Sequence, residues 1–236
     1  GAGGMTGRTR SRRRGLIWTV LAVVVVVAGS LVAYYTPLMS VRTTEVSGNR
    51  VVPESRILTV ADVASGTPLL QVDTAAVARR VAAIESVESA RVQRSYPSAL
   101  TITVVERRPV VRVIDGRNTR ILDRLGVAYL TYADGEKVPA QLASLPRLTT
   151  AHPGPTDPTT KAAVSVVAGL PVYLSRKLLS VNATSPVDIE LTLTGDRRVI
   201  WGDSERGDDK ARALKNLLTR SGTLYNVSSP DFPAFT

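Results

Sequence analysis

The 236-residue chain has no cysteine, one histidine, two tryptophans and two phenylalanines. Without cysteine there is no disulfide, no thiol nucleophile and no thiolate metal site. The lone histidine, His152, lies in the loop stretch "TAHPGPT" and has no second imidazole with which to share a metal. With few aromatics the core falls to small aliphatic side chains, chiefly valine and alanine.

Catalytic patterns are missing too. "GDSERG" (Gly202–Gly207) misses the G-x-S-x-G nucleophile elbow by one residue. No S-x-x-K and no glycine-rich phosphate loop occurs. Asp203, Glu205, Asp208 and Asp209 stand just before a helical pattern, where carboxylates cap and favour the positive helix end. Asn182 and Asn226 match the glycosylation sequon, a short pattern frequent by chance. The sequence is read as a non-enzyme with no cofactor, no metal and no small-molecule substrate.

Charge is abundant but unevenly placed. Of the net +10, half comes from Arg8, Arg10, Arg12, Arg13 and Arg14, a tail (residues 1–15) without an acid. The body is only mildly basic, which argues against a nucleic-acid surface. From Gly15 to Val41 no residue is charged. The apolar run Leu16–Thr36 would span about 31 Å as a helix, the thickness of a bilayer core. Leu16 and Trp18 lie at one end, Tyr34 and Tyr35 at the other, where amphipathic rings favour the interface. The arginines precede this segment, so the tail is expected in the cytoplasm and the rest outside, a single-pass type II arrangement. A cleaved signal peptide is the alternative; against it, the run exceeds the usual apolar region and no A-x-A site follows.

Residues 41–112 read as one module. "VRTTEVSGN" is a strand with a turn at Ser47-Gly48-Asn49, and Pro53 suits the first helical position. "ESRILTVADV" is a short helix with Ile57, Leu58 and Ala61 on one side. Asp73 or Thr74 caps the next helix, where Val77, Val81 and Ile84 form a stripe and Arg79 and Arg80 face solvent. "VESARVQRSYP" and "ALTITVVERRPVVRV" are strands, the second alternating Leu100/Ile102/Val104 against Thr101/Thr103. Glu106 pairs with Arg94 or Arg108, Arg107 and Arg108 form a solvated strand end, and Pro109 redirects the chain.

Residues 113–229 form a second module, and residues 230–236 a tail. Turns at Asp115-Gly116 and Leu125-Gly126 separate short strands. "LPRLTTAHPGPTDPTT" is a loop and "TKAAVSVVAGLP" a helix. Val187–Thr194 and Arg197–Trp201 make a hairpin about Gly195-Asp196. "DDKARALKNLLTRSG" is a helix with Ala211, Leu214, Leu217 and Leu218 on one face, ended by Gly222. "TLYNVSSPDFP" is a last strand.

The order strand-helix-helix-strand-strand resembles a POTRA domain. "VSGN", "GTPLLQVD" and "RSYPSALTITVVERRPVVRV", in this order after this anchor, resemble the FtsQ/DivIB family of bacterial cell-division proteins. "ILDRLGVAYL", "LPRL", "RRVIWGD" followed by "KARALKNLL", and "LYNVSSPDFP" are similar to the β-domain of its actinobacterial members. The resemblance implies an α+β protein: one transmembrane helix (16–36), a POTRA domain and a mixed β-sheet domain with a few helices. It implies a divisome scaffold at the septum in the cytoplasmic membrane. Its implied partners are FtsB and FtsL, with septal synthesis proteins of the FtsW and FtsI type beside them. FtsB adds a strand to the last strand of the family's β-domain, here Leu224, Tyr225, Asn226, Val227 and Ser228. The alternative for Tyr225 and Val227 is the domain's own core. A POTRA-bearing secretion component is the other functional reading; about 120 residues after the module are too few for a transport barrel.

Overall fold

The computed structural model describes the backbone of residues 8–35 and 39–236, and the side chains of 17–32 and 39–236. The chain divides into two units, Gly1–Glu106 and Arg107–Thr236.

The first unit contains helix α1 (Arg8–Tyr35) and then β1 (Thr43–Ser47), α2 (Glu54–Ala61), α3 (Thr74–Ala82), β2 (Val87–Ser95) and β3 (Ala99–Glu106). The three strands form a sheet in the order β1-β3-β2, with β1 parallel and β2 antiparallel to β3. Alternation places Leu100, Ile102 and Val104 on the face that buries against Ile57, Ala61, Val77, Val81 and Ile84 of the helical layer. Asp73 is the residue that caps α3, its carboxylate accepting from the Ala76 amide at 2.9 Å. Gly48 turns the chain after β1 at φ +86°, and a Cβ there would stand 2.1 Å from the Val104 carbonyl oxygen. Only glycine fits so close an approach.

Several local expectations need correcting here. Pro53 is the N-cap of α2, not its first helical residue. Arg80 donates to the Ala61 carbonyl at the end of α2 rather than only facing solvent. Arg94 donates to the carbonyls of Leu69 and Val72, each at 2.7 Å, and so ties the 3-10 turn at Leu69–Gln71 to β2. Glu106 is held chiefly by backbone instead. Its carboxylate accepts from the backbone amides of Arg50, Val51 and Val52 at 2.8 to 3.0 Å.

The second unit is a nine-stranded sheet. Its strands are β4 (Pro109–Asp115), β5 (Asn118–Asp123), β6 (Ala128–Tyr132), β7 (Arg147–Thr149), β8 (Leu178–Ser185), β9 (Asp188–Leu193), β10 (Arg197–Gly202), β11 (Leu224–Asn226) and β12 (Ala234–Phe235). They lie in the order β12-β11-β10-β9-β8-β7-β4-β5-β6. What read as one long strand from Ala99 is thus β3 and β4, broken at Arg107–Arg108, because β4 pairs with β5 of the second sheet. Helices α4 (Ala140–Ala143), α5 (Pro158–Gly169), α6 (Val172–Ser175) and α7 (Gly207–Leu217) complete the unit. One core joins Val164 and Val167 of α5 and Leu214 and Leu217 of α7 to Val113, Leu148, Val181, Leu191, Val199 and Trp201 of the sheet.

The loop expected at 145–160 hides β7, which pairs in parallel with both β4 and β8. Arg107 is not a free strand end: it meets Asp123, which is fully buried and also accepts from the amides of Leu125 and Val127 at 2.8 and 2.9 Å. The acidic cluster does not cap α7 by side chain. The N-cap is Arg206, in the left-handed region at φ 53°; Asp208 and Asp209 lie in the first turn. Asp203 instead binds the ammonium of buried Lys210, and that hydrogen bond holds its carboxyl below the usual value. Nor does Gly222 end α7, which stops at Leu217.

Candidate partner-binding edge

Strand β11 forms because the chain returns from α7 parallel to β10, with Arg198, Val199 and Ile200 opposite Leu224, Tyr225 and Asn226. Parallel neighbours require such a crossover, and α7 supplies it. Tyr225 points into the core and is fully buried. Its hydroxyl donates to the carbonyls of Gly222 and Arg220, at 2.8 and 3.1 Å, so the polar tip is satisfied. Val227 is fully buried as well, and its amide bonds to the Ile200 carbonyl at 3.0 Å. Asn226 folds its side-chain oxygen back onto the amide and hydroxyl of Ser228, at 3.0 and 2.8 Å.

Leu224–Ser228 is not the end of the sheet. The chain turns through Pro230 and Pro233 and comes back as β12, antiparallel to β11, with Tyr225 opposite Phe235 and Asn226 opposite Ala234. Leu224 and Thr236 exchange both backbone hydrogen bonds, at 2.9 and 3.1 Å. In an antiparallel pair the next position is then non-bonded, so Phe235 turns its N–H and C=O away from β11. The Phe235 ring stacks on Tyr225 with centroids 6.5 Å apart, and the Arg220 guanidinium lies 5.5 Å above it. The turn before β12 is held by Arg206, which donates to both oxygens of Asp231 at 2.7 and 2.9 Å. That pairing holds the Asp231 carboxyl below its ordinary value. Phe232, in the same turn, is 86% exposed.

Tyr225 and Val227 serve the unit's own core, and the outer edge belongs to Ala234–Phe235. The pattern could have shown it: after Pro230 and Pro233, "AFT" is long enough for a two-residue edge strand, which proline-bounded edges favour.

At the other end of the chain, every described side chain of α1 (residues 17–32) is exposed, Trp18 at 70%. Among the described residues no helix is long and apolar enough to cross a membrane. Leu16, Tyr34, Tyr35 and the arginines 8, 10, 12, 13 and 14 lie outside the described side chains. No described cluster of His, Asp or Glu has the arrangement to hold a metal ion.

A strand-helix-helix-strand-strand unit followed by a large mixed sheet with a short terminal edge defines a POTRA-bearing α+β protein. Residues 39–107 match the family model described as a POTRA domain of FtsQ type. The chain is 48% identical over 218 residues to the cell division protein FtsQ of Mycolicibacterium smegmatis, covering 92% of this chain and 63% of that protein. It is 42% identical over 233 residues to the FtsQ of Mycobacteroides abscessus, covering 99% and 73%. It is 34% identical to that of Streptomyces coelicolor, covering 94% and 88%. The chain belongs to the FtsQ family of cell division proteins.

Proposed function

We propose that the protein is a non-enzymatic scaffold of the division machinery, fixed in the cytoplasmic membrane by its N-terminal helix. The outer units then gather partners at the septum. The uncharged run from Leu16, carried by helix α1 with every described side chain (17–32) exposed, supports the anchor. The preceding arginines favour a cytoplasmic tail.

The partner reading rests on one observation: the outward-turned N–H and C=O of Phe235 at the end of a nine-stranded sheet. An added strand satisfies such groups and lengthens the sheet. FtsB, accompanied by FtsL, is the proposed occupant of this edge. Leu224–Ser228 then contributes by holding β12 in place rather than by direct pairing.

Replacing Tyr225 or Val227 would disturb the core and confuse folding with binding. Phe235→Pro removes the outward N–H, and Phe235→Ala keeps it. Titration of the full chain with the outer region of FtsB should show binding lost in the first and largely retained in the second. Equal binding by wild type and Phe235→Pro would overturn the assignment.

A further inference from the structure

The chain enters the first unit at one end of its sheet. Ser40 bridges Pro68, and the Val41 amide donates to the Thr67 carbonyl at 2.9 Å. The Arg42 amide donates to the Ser98 carbonyl at 2.8 Å, which fastens the start of β1 to the turn between β2 and β3. With the bonds from Arg94 to Leu69 and Val72, these contacts join residues 39–43, 62–73 and 94–99 at that end. The backbone of α1 also comes close to the turn Leu69–Gln71.

Apolar exposure is uneven over the unit. Beyond α1, its exposed large apolar side chains among the described residues are Met39, Val51, Leu70, Tyr96 and Val105. Met39, Leu70 and Tyr96, the last 55% exposed, all lie on the joined segments. Val51 sits at the opposite end, where its amide meets Glu106. The charges on the joined segments cancel, Arg42 and Arg94 against Asp62 and Asp73. A strongly acidic or basic partner therefore finds no net attraction there.

Covalent length decides what lies against this end. Ser40 follows Tyr35, the last residue of α1, by five positions. That stretch spans about 18 Å at full extension, and a headgroup layer is roughly 5 to 8 Å deep. We propose, resting on α1 as the membrane anchor, that this end of the first unit lies on the outer surface of the bilayer, with Met39, Leu70 and Tyr96 in the headgroup layer. Tyrosine suits that layer, its ring on the apolar side and its hydroxyl in water. The anchor keeps the surface at high local concentration, so a few partly exposed side chains suffice. The contact sets which face of the first unit turns away from the membrane and stays open to partners.

The test uses the full chain in phosphatidylcholine nanodiscs, with one introduced thiol at a time carrying the dye NBD. A nitroxide on the lipid headgroup should quench the dye in Leu70→Cys and Tyr96→Cys and spare it in Val51→Cys. Adding phosphatidylglycerol should change none of these, because the contact carries no net charge. Met39→Glu with Tyr96→Glu should release the dye in Leu70→Cys from quenching, since charge resists the apolar side of the layer. Both positions are exposed, and circular dichroism melting checks that each variant folds. The dye in Val24→Cys, set against a nitroxide deep in the acyl chains, reports the anchor by itself. Quenching at Val24 but at neither Leu70 nor Tyr96 would overturn the surface contact and leave the anchor standing. Quenching at none of the three would overturn both. Equal quenching at Val51 and Leu70, or no release by the two glutamates, would mean that no apolar end is preferred and would overturn the contact too.

Discussion

The guanidinium of Arg206 grips both carboxylate oxygens of Asp231, 25 residues further along the chain, at 2.7 and 2.9 Å. This clamp fastens the turn before β12 to the start of α7. Both partners are exposed, so it should matter little to global stability and much to local order. Arg206 sits at φ 53°, so Arg206→Gly removes the clamp without adding backbone strain. The expected result is an unchanged melting temperature with faster hydrogen exchange at the Thr236 amide. Asp231 has a lowered pKa, so its contribution is complete above the unfolded carboxylate value. It fades as pH falls through the folded one. The same amide should therefore lose protection in acid. Unaltered exchange in the variant would show that β12 is held by other means.

Glu106 is the second test. Partial burial opposes its ionisation, but the amides of Arg50, Val52 and Val51 outweigh that and hold its pKa below the ordinary 4.5. Glu106→Ala should cost about 1 kcal/mol, discounted for solvent access, and Glu106→Gln less because an acceptor remains. Urea denaturation measures both. The wild-type advantage over Glu106→Ala should be fully present above pH 4.5 and vanish as pH drops through the depressed value.

Asp123 should be far more sensitive. It is fully buried, with Arg107 as ion partner and two amides as donors. Asp123→Ala leaves all three groups without that acceptor and should cost about 3 kcal/mol in chemical denaturation. Asp123→Asn keeps an oxygen for the amides and should lie between. A loss below that of Glu106→Ala would contradict the burial argument.

The absence of cysteine makes the proposed topology directly measurable, since any introduced thiol is unique. In intact cells an impermeant maleimide should label Glu136→Cys and spare Thr6→Cys. Labelling in the reverse order would overturn the orientation.

What could be read from the sequence was local. The two helices and the alternation of Leu100, Ile102 and Val104 follow from periodicity within a few residues. The hairpin at Gly195-Asp196 and the α7 stripe follow the same way. What was missed depends on distant partners. β7 is three residues in a proline-rich stretch and exists because β4 and β8 flank it. Glu106 looked like an ion-pair partner because pairing with amides some 54 to 56 positions away leaves no sequence pattern. Arg107 looked like a solvated strand end for the same reason, its partner Asp123 lying 16 positions further on. Leu224–Ser228 carried a strand signal, but whether a strand is central or terminal depends on what returns to cover it.

The thin join at β7, where Arg112 opposite Arg147 is the single pairing with β4, also bears on how the molecule assembles. β4-β5-β6 and β8-β9-β10 are each runs of consecutive antiparallel strands, closed by short turns and quick to form. β7 must link them through parallel pairings across a long separation, after its loop-closure entropy has been met. Two meanders should therefore mature independently, with their joining as the late step. Native-state hydrogen exchange should find the Arg112 amide, bonded to the Pro146 carbonyl at 3.0 Å, opening ahead of the amides of β9. Simultaneous opening would mean that the sheet behaves as a single cooperative unit.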